Sequence, residues 1–168
     1  METIRAILPH FRSNKGGVIV NTSSGAGFFS TPILSIYTAT KHALEGFTES
    51  VSYELASQNI QIKSIVPVNG ISGTNFNRSA SSMLNLDPHL APSYGEYMGK
   101  LGQLFGGMLH MKGAPASEVA AAIYNASTDG TNKLRYFVGE TDEMPFMKFF
   151  YESNTDEEYM SKMRPCFP

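Results

Sequence analysis

Three polar side chains near the end of an apolar segment have the types and spacing that proton transfer requires. The stretch NTSSGAGFFSTPILSIYTATK contains Ser24, then Tyr37, then Lys41 four residues further on. Residues four apart on a helix share a face, so the two side chains can touch. A neighbouring ammonium favours the phenolate and lowers the pKa of a tyrosine from about 10, which lets the phenol exchange a proton with a hydroxyl or carbonyl oxygen. Ser24 could donate a hydrogen bond to that oxygen and stabilise its developing charge.

Each of these residues also has a purely structural explanation. A Tyr and a Lys four apart commonly lie at a helix surface, and serines at strand ends commonly cap turns. The combination of all three at a strand end favours chemistry. A serine hydrolase is disfavoured, because Asn21 and Thr22 precede Ser23 where a Gly-x-Ser-x-Gly elbow is needed, and because His42 is expected on the helix surface.

The apolar periodicity predicts an alternation of strands and helices. The predicted elements are a helix over 1–13 that Pro9 kinks or ends, a buried strand over 18–20, a helix over 35–57, a strand over 60–66, a helix capped by Ser117, a strand over 135–139 and short terminal helices. This order is typical of an α/β fold: a partial doubly wound, Rossmann-like parallel sheet of about three strands with flanking helices. Ligands of such sheets bind beyond the carboxyl ends of the strands, where the serines and the 67–76 loop lie.

Length, charge and cysteine content restrict the possible functions. The 168 residues, 42% of them hydrophobic, suffice for a single domain over 1–168, with a mobile, lid-like insertion at about 77–114. The net charge of −2, with dispersed Lys and Arg, argues against a nucleic-acid partner, and no apolar run reaches membrane-spanning length. One cysteine, Cys166, and no secretion signal indicate the cytoplasm. His89 and His110 lack metal-ligand spacing, so no metal site is expected.

Three motifs, NTSSGAG, YTATK and PVNGISGTNF, together resemble the catalytic half of the short-chain dehydrogenase/reductase family. The helix-like RAILPHF before GGVIVN, and SEVAAAIYNASTDGTNKLRYFVG near the end, also resemble family segments. The resemblance implies an NAD- or NADP-dependent oxidoreductase that transfers hydride between nicotinamide and a hydroxyl or carbonyl substrate. It implies that Ser24 polarises the substrate oxygen and that Tyr37 is the general acid/base. Lys41 would lower the pKa of the tyrosine and bind the nicotinamide ribose.

The loop after the second strand departs from the commoner Pro-Gly signature of the family. Val68 follows Pro67, and the glycine comes only at Gly70. The loop resembles a longer variant, in which the backbone of Ile71 and the side chain of Thr74 would contact the nicotinamide amide. The cofactor-binding residues that the resemblance implies are Tyr37, Lys41, Pro67, Gly70, Ile71 and Thr74.

The Gly-rich turn that binds the dinucleotide diphosphate in this family has no counterpart in the sequence. The glycines at 25 and 27 follow a strand, but the third glycine position is Ser30, and Pro32 delays the helix. Aligned by Ser24, the first residues coincide with the middle of a family member. We therefore expect the first βαβαβ half of the fold to be absent, and with it the phosphate site for the cofactor.

Two functional hypotheses follow. The first is an oxidoreductase acting on a small, apolar-leaning hydroxyl or carbonyl substrate beneath the lid. The second is a catalytically silent truncated relative, in which the helix over 35–57 serves as an oligomerisation surface. In both, the uncovered edge of the strand over 18–20 predicts homo-oligomers or poor solubility. The lid hypothesis depends on Met83, Leu86, Tyr94, Tyr97, Met98, Leu101, Leu104, Phe105, Met108 and Met111.

Overall fold

A three-stranded parallel sheet flanked by helices forms the centre of the fold. The computed structural model describes residues 1–76, 91–109, 113–139 and 145–168. Its elements are α1 (Glu2–Ser13), β1 (Gly17–Thr22), α2 (Ser35–Ala56), β2 (Ile60–Pro67), β3 (Ile71–Ser72), α3 (Ala91–Leu109), β4 (Ala114–Pro115), α4 (Ala116–Thr128), β5 (Arg135–Val138), α5 (Pro145–Glu152) and α6 (Asp156–Met163). Short 3-10 turns occupy Gly25–Gly27 and Arg164–Cys166.

The strands of the main sheet lie in the order β1, β2, β5, and both pairs are parallel. Gly17 lies opposite Ile60, and Ser64 lies opposite Arg135. The predicted fold class, a small Rossmann-like parallel sheet with flanking helices, is therefore confirmed. A second parallel pair, β3 with β4, was not predicted, because two residues per strand are too few to show a periodic pattern.

The central strand, β2, is covered on both faces, as buried parallel strands usually are. One face packs against α1 and α2 through Ile4, Ile19, Leu55, Ile60 and Ile62. Near the carboxyl end of β2, Val66 packs against an aromatic cluster that includes Phe28, Phe29 and Phe146. The opposite face packs against α4 through Ile65, Val119, Ala126, Tyr136 and Val138. The carboxyl end of β2 is thereby held between two helical layers.

Three details differ from the sequence-based predictions. Pro9 lies inside α1, which continues to Ser13. The predicted helix cap at Ser117 is wrong. The helix α4 already begins at Ala116, because the preceding residue, Pro115, is extended and pairs with Ser72. In β1 only Ile19 is buried, because β1 is an outer strand of the sheet, and its two neighbouring valines are half-buried.

The predicted insertion at 77–114 contributes one long helix, α3, to the described residues. Within α3, Leu101 is fully buried and Tyr94 is exposed. Three residues of the lid prediction, Met83, Leu86 and Met111, lie outside the described residues. His89 and His110 also lie outside them. The lid itself stays a prediction. Among the described residues, no helix has both the length and the apolar character needed to cross a bilayer.

We expect Gly17→Ala to destabilise the protein by about 1–3 kcal/mol, because a Cβ at this position would overlap the ring of Phe11, which packs directly on the Gly17 backbone. Gly46→Ala is the matched control. A Cβ at Gly46, on the outer face of α2, would meet nothing within 4 Å, so alanine should instead add about 0.5–1 kcal/mol through its helix propensity. Urea unfolding of both variants tests the prediction, and equal effects would contradict it.

Candidate active site

Ser24 lies two residues beyond the end of β1, where it caps a tight turn. Its backbone is extended, and its Oγ accepts a hydrogen bond of 3.2 Å from the backbone N–H of Ala26 at the start of the 3-10 turn Gly25–Gly27. A serine hydroxyl has two acceptor lone pairs and one donor hydrogen. Capping uses a lone pair, so the hydroxyl hydrogen of Ser24 stays available to a substrate oxygen. The structural explanation and the chemical one are compatible at this residue.

Tyr37 and Lys41 lie on the first two turns of α2, and both side chains are partly buried. The Nζ atom of Lys41 is 5.7 Å from the centroid of the Tyr37 ring, so the four-residue spacing does bring the ammonium over the phenol. The same Nζ donates a hydrogen bond of 3.2 Å to the backbone carbonyl of Thr22, the last residue of β1. Lys41 thus connects the start of α2 to the carboxyl end of β1.

Burial lowers the pKa of Lys41 below its usual range, because an ammonium group loses hydration when it is partly removed from water. The negative charge of Glu45, one helical turn further along α2, opposes this effect and raises the pKa of Lys41. The two influences act on the same group from opposite directions. Glu45 was not part of the motif analysis.

The loop that follows β2 lies beside these residues. Pro67 ends β2 opposite Val138, and Gly70 adopts a positive φ of 86° that favours glycine. Ile71 belongs to β3, whose backbone pairs with β4. Thr74 is exposed, and its hydroxyl donates to the carbonyl of Ile71 at 3.3 Å. The Phe76 N–H donates to the same hydroxyl at 3.4 Å, so Thr74 keeps one lone pair with which to accept a hydrogen bond from a ligand.

Two contacts show that the turn, the helix and the loop converge at the carboxyl end of the sheet. The rings of Tyr37 and Phe76 have centroids 6.1 Å apart, which places the end of the loop against α2. A Cβ at Gly25 would be 2.8 Å from the carbonyl oxygen of Val68, so the turn after Ser24 passes directly over the start of the loop. Phe76 was missed by the sequence reading, because one aromatic residue in a polar loop has no distinctive spacing.

A buried charge network lies directly behind this site. Glu45, with 4% of its surface exposed, accepts a hydrogen bond from the Ser64 hydroxyl at 2.6 Å and another from Arg135 Nε at 2.8 Å. Arg135 also binds the carboxylate of Glu49. The sequence showed only glutamates on a helix. A Glu four residues after Lys41 was the one available signal, and it is a weak one.

A surface groove lies elsewhere in the described residues. It is lined by Phe28, Ser30 and His42 on one side and by residues 153–156 on the other, and Ser24, Tyr37 and Lys41 are not among its lining residues. His42 contributes to this groove, with its ring nitrogen 3.0 Å from the Thr38 carbonyl. In the part of the chain that the structure describes, no cluster of three or more His, Cys, Asp or Glu side chains has an arrangement suited to a metal ion.

The three-stranded parallel sheet and the order of the strands and helices around it are those of a partial doubly wound, Rossmann-like α/β fold. The sequence pattern of the family described as short chain dehydrogenase matches residues 1–85, just over half of the 168 residues. The chain belongs to the short chain dehydrogenase family, which confirms the resemblance drawn from its motifs.

Individual relatives agree with this assignment. An uncharacterised oxidoreductase of Schizosaccharomyces pombe is 33% identical over 142 residues, which cover 83% of this chain and 56% of the relative. The solved structure of a short-chain dehydrogenase from Streptomyces avermitilis matches 96% of this chain and 55% of its own, with a TM-score of 0.67 and 27% identity. The match with carveol dehydrogenase from Mycobacterium avium, solved with NAD, covers 82% of this chain and 50% of the dehydrogenase, with a TM-score of 0.55 and 25% identity. The chain spans about half the length of these proteins.

Proposed function

We propose that this chain carries the catalytic part of an NAD- or NADP-dependent oxidoreductase that interconverts a hydroxyl and a carbonyl group. The observation that supports it best is the convergence of the Ser24 turn, Tyr37, Lys41 and the loop after β2 at the carboxyl ends of β1 and β2. Ligands of doubly wound sheets bind at this edge. The similar protein from Mycobacterium avium was solved with NAD, which supports a nicotinamide cofactor for this fold.

In the proposed reaction Tyr37 moves the proton. During reduction the carbonyl carbon receives a hydride and the carbonyl oxygen takes the proton of the Tyr37 hydroxyl, which leaves a phenolate. Oxidation reverses both transfers. The ammonium of Lys41, 5.7 Å from the ring centroid, favours that phenolate by its positive charge. Ser24 donates its free hydroxyl hydrogen to the same substrate oxygen and stabilises the charge that develops there.

The residues present fit one end of a nicotinamide cofactor, which when bound supplies or accepts the hydride. Lys41 uses one of its three N–H groups on the Thr22 carbonyl, so two remain for the hydroxyls of a ribose. Pro67, Gly70, Ile71 and Thr74 form the loop at the side of the site. In our proposal this loop holds the amide of the ring, with Thr74 as the side-chain contact. The phosphate-binding half of the family fold has no counterpart among these residues.

For the substrate we propose a small, apolar-leaning alcohol, ketone or aldehyde. Phe76 presents an exposed ring beside Tyr37, and α3 supplies further apolar residues from the insertion. An apolar wall with a few polar groups at the reacting atoms is typical of small-molecule sites. The single cysteine suits a reducing compartment, and we propose the cytoplasm as the location.

Titration of the purified chain with NADH and with NADPH tests the proposal. The chain contains no tryptophan that could transfer energy to the cofactor, so binding is followed by the change in nicotinamide emission on direct excitation. We expect saturable binding of one of the two cofactors. Lys41→Met should weaken it by about tenfold or more, because hydrogen bonds from a charged donor contribute more than neutral ones. Lys148→Gln, which changes a lysine with 63% of its side chain exposed, should leave binding unchanged.

The second candidate function is a catalytically silent interaction module. Its support is the outer surface of α2, where Ile36 and Tyr53 are 79% and 71% exposed. These two side chains lie near opposite ends of α2, so in this candidate the contact with a second copy would extend along the whole helix. If neither cofactor saturates the chain at millimolar concentration, and if the chain forms homo-oligomers that Ile36→Ser dissociates, this candidate replaces the first.

A further inference from the structure

A row of polar residues crosses the three strands of the main sheet beneath α2. Asn21 of β1 is in register with Ser64 of β2, and Ser64 is in register with Arg135 of β5. Side chains in register point to the same face of a sheet. Two residues earlier on the first two strands, the corresponding pair is Ile19 and Ile62, and both are buried and apolar. The contact between the sheet and α2 therefore changes from apolar to polar close to the carboxyl edge, where the candidate site lies.

All three members of this polar row are hydrogen-bonded to α2. The Nδ2 atom of Asn21 donates to Oγ1 of Thr48 at 2.9 Å. The other two members donate to the carboxylate of Glu45, at 2.6 Å and 2.8 Å. Apolar contacts have no preferred direction, whereas hydrogen bonds weaken steeply when they are misaligned. The helix is therefore attached to all three strands by bonds that specify its orientation.

The bond between Asn21 and Thr48 connects α2 to β1, the strand that leads to Ser24. A second link between the same two elements is the bond of 3.2 Å from Lys41 Nζ to the carbonyl of Thr22. Lys41 and Thr48 are seven residues apart, so they share a face of α2 and lie about 10 Å apart along its axis. Two links at separate points fix the rotation of the helix against the strand, because a helix with one link can still turn about it.

Stability alone does not account for the pairing of Asn21 with Thr48. Asparagine is depleted in strands, and threonine is a weaker helix former than alanine or leucine. Thr48 is fully buried, and its hydroxyl also donates to the carbonyl of Leu44 at 2.7 Å. Replacing both partners of a buried hydrogen bond by apolar groups of the same shape can be nearly neutral. A polar pair at this position instead selects one alignment of the helix, because a satisfied buried network specifies a unique packing.

We propose that Asn21 and Thr48 are positioning residues, whose hydrogen bond aligns α2 with β1 and so sets the place of Tyr37 and Lys41 relative to Ser24. The helix α2 carries two of the three residues proposed for the chemistry, and β1 leads directly to the third. This inference deepens the proposed function and rests on it, because the alignment matters for chemistry only if the three residues act on one substrate. A misplacement of about 1 Å by a remote substitution can lower a rate by about 10²-fold.

Thr48→Val tests the proposal, because valine keeps the shape of threonine and lacks its hydroxyl. The matched control is Thr38→Val on the same helix, since the hydroxyl of Thr38 is buried and has no hydrogen-bond partner among the described residues. The first measurement is made by NMR on the free chain. It is the nuclear Overhauser effect between the Cε protons of Lys41 and the α proton of Thr22, which reports whether the ammonium still lies at the Thr22 carbonyl. We expect this effect to weaken in Thr48→Val and to be unchanged in Thr38→Val and in Thr48→Ser, which keeps a hydroxyl.

The second measurement is turnover. We expect kcat to fall by about tenfold or more in Thr48→Val, and to stay within about twofold in Thr48→Ser and in Thr38→Val. Loss of stability by itself does not change either measurement in a chain that is fully folded under the conditions used.

An unchanged contact between Lys41 and Thr22 in folded Thr48→Val, or an equal weakening in Thr38→Val, would overturn the proposal. So would an unchanged kcat in a chain that turns over. If Thr48→Val does not fold, Asn21→Leu combined with Thr48→Val replaces it, because that variant leaves neither partner of the bond unpaired, and the same losses are then required. The NMR measurement needs no cofactor or substrate, so a chain without turnover can still pass or fail the test.

Discussion

Replacing Tyr37 by phenylalanine is expected to lower carbonyl reduction by about 10²- to 10⁴-fold, the usual contribution of a general acid. The substitution removes the only atom that delivers the proton in the proposed reaction, and it keeps the ring that contacts Phe76. Fold and cofactor binding should therefore change little. The measurement is the rate of NADH or NADPH oxidation with a series of aliphatic and aromatic ketones and aldehydes, for the unmodified chain and the variant.

Tyr53→Phe is the matched control for this prediction. Tyr53 lies on the same helix, is 71% exposed, and donates its hydroxyl to Glu49 at 3.0 Å. Losing that hydroxyl should leave turnover within about twofold, because surface substitutions usually have small effects. Equal rates in Tyr37→Phe and Tyr53→Phe would remove Tyr37 from the reaction. Cofactor binding without turnover in the unmodified chain would favour the silent alternative.

The second large effect is expected at a buried ion pair on the opposite face of the sheet. Lys63 of β2 is 1% exposed, and its Nζ lies 2.6 Å from Oδ1 of Asp129. The other carboxylate oxygen of Asp129, Oδ2, accepts a hydrogen bond from the Tyr136 hydroxyl at 2.6 Å. The Lys63 ammonium, followed by Tyr136, holds the pKa of Asp129 well below its usual range. Asp129→Asn would leave a buried ammonium without its carboxylate, which is strongly destabilising.

We expect Asp129→Asn to lower the urea midpoint at pH 7 by more than Ile65→Val does, a core substitution that typically costs about 1 kcal/mol. Removing both charges, in Lys63→Met with Asp129→Asn, should recover most of the loss. The depressed pKa also sets a pH dependence. The contribution of Asp129 is fully present above its unfolded pKa of about 4, and it is lost progressively as the pH falls from there toward the lower pKa of the folded state. A difference between Asp129→Asn and the unmodified chain that stays constant from pH 7 to pH 3 would contradict this account.

Local spacing explains which parts of this protein were predictable. The helix face that carries Tyr37 and Lys41 follows from the four-residue interval, and the Lys41 ammonium does lie over the Tyr37 ring. The order of strands and helices follows from apolar periodicity, and the parallel sheet follows from that order. The start of α4 was predicted at the wrong residue. The pairing of Pro115 with Ser72 sets the helix boundary, and no local sequence pattern predicts that pairing.

By itself, the sequence determined the fold class, the family and the three residues proposed for the chemistry, because each of these depends on short local patterns and on their order along the chain. The tertiary structure alone decided which charges are buried and what they meet. Glu45 meets Ser64 across 19 residues and Arg135 across 90, and Lys63 meets Asp129 across 66. Such pairs form because the packing of strands and helices brings distant segments together and removes their side chains from water. These partners are far apart in the sequence, so no periodic pattern of residues predicts them.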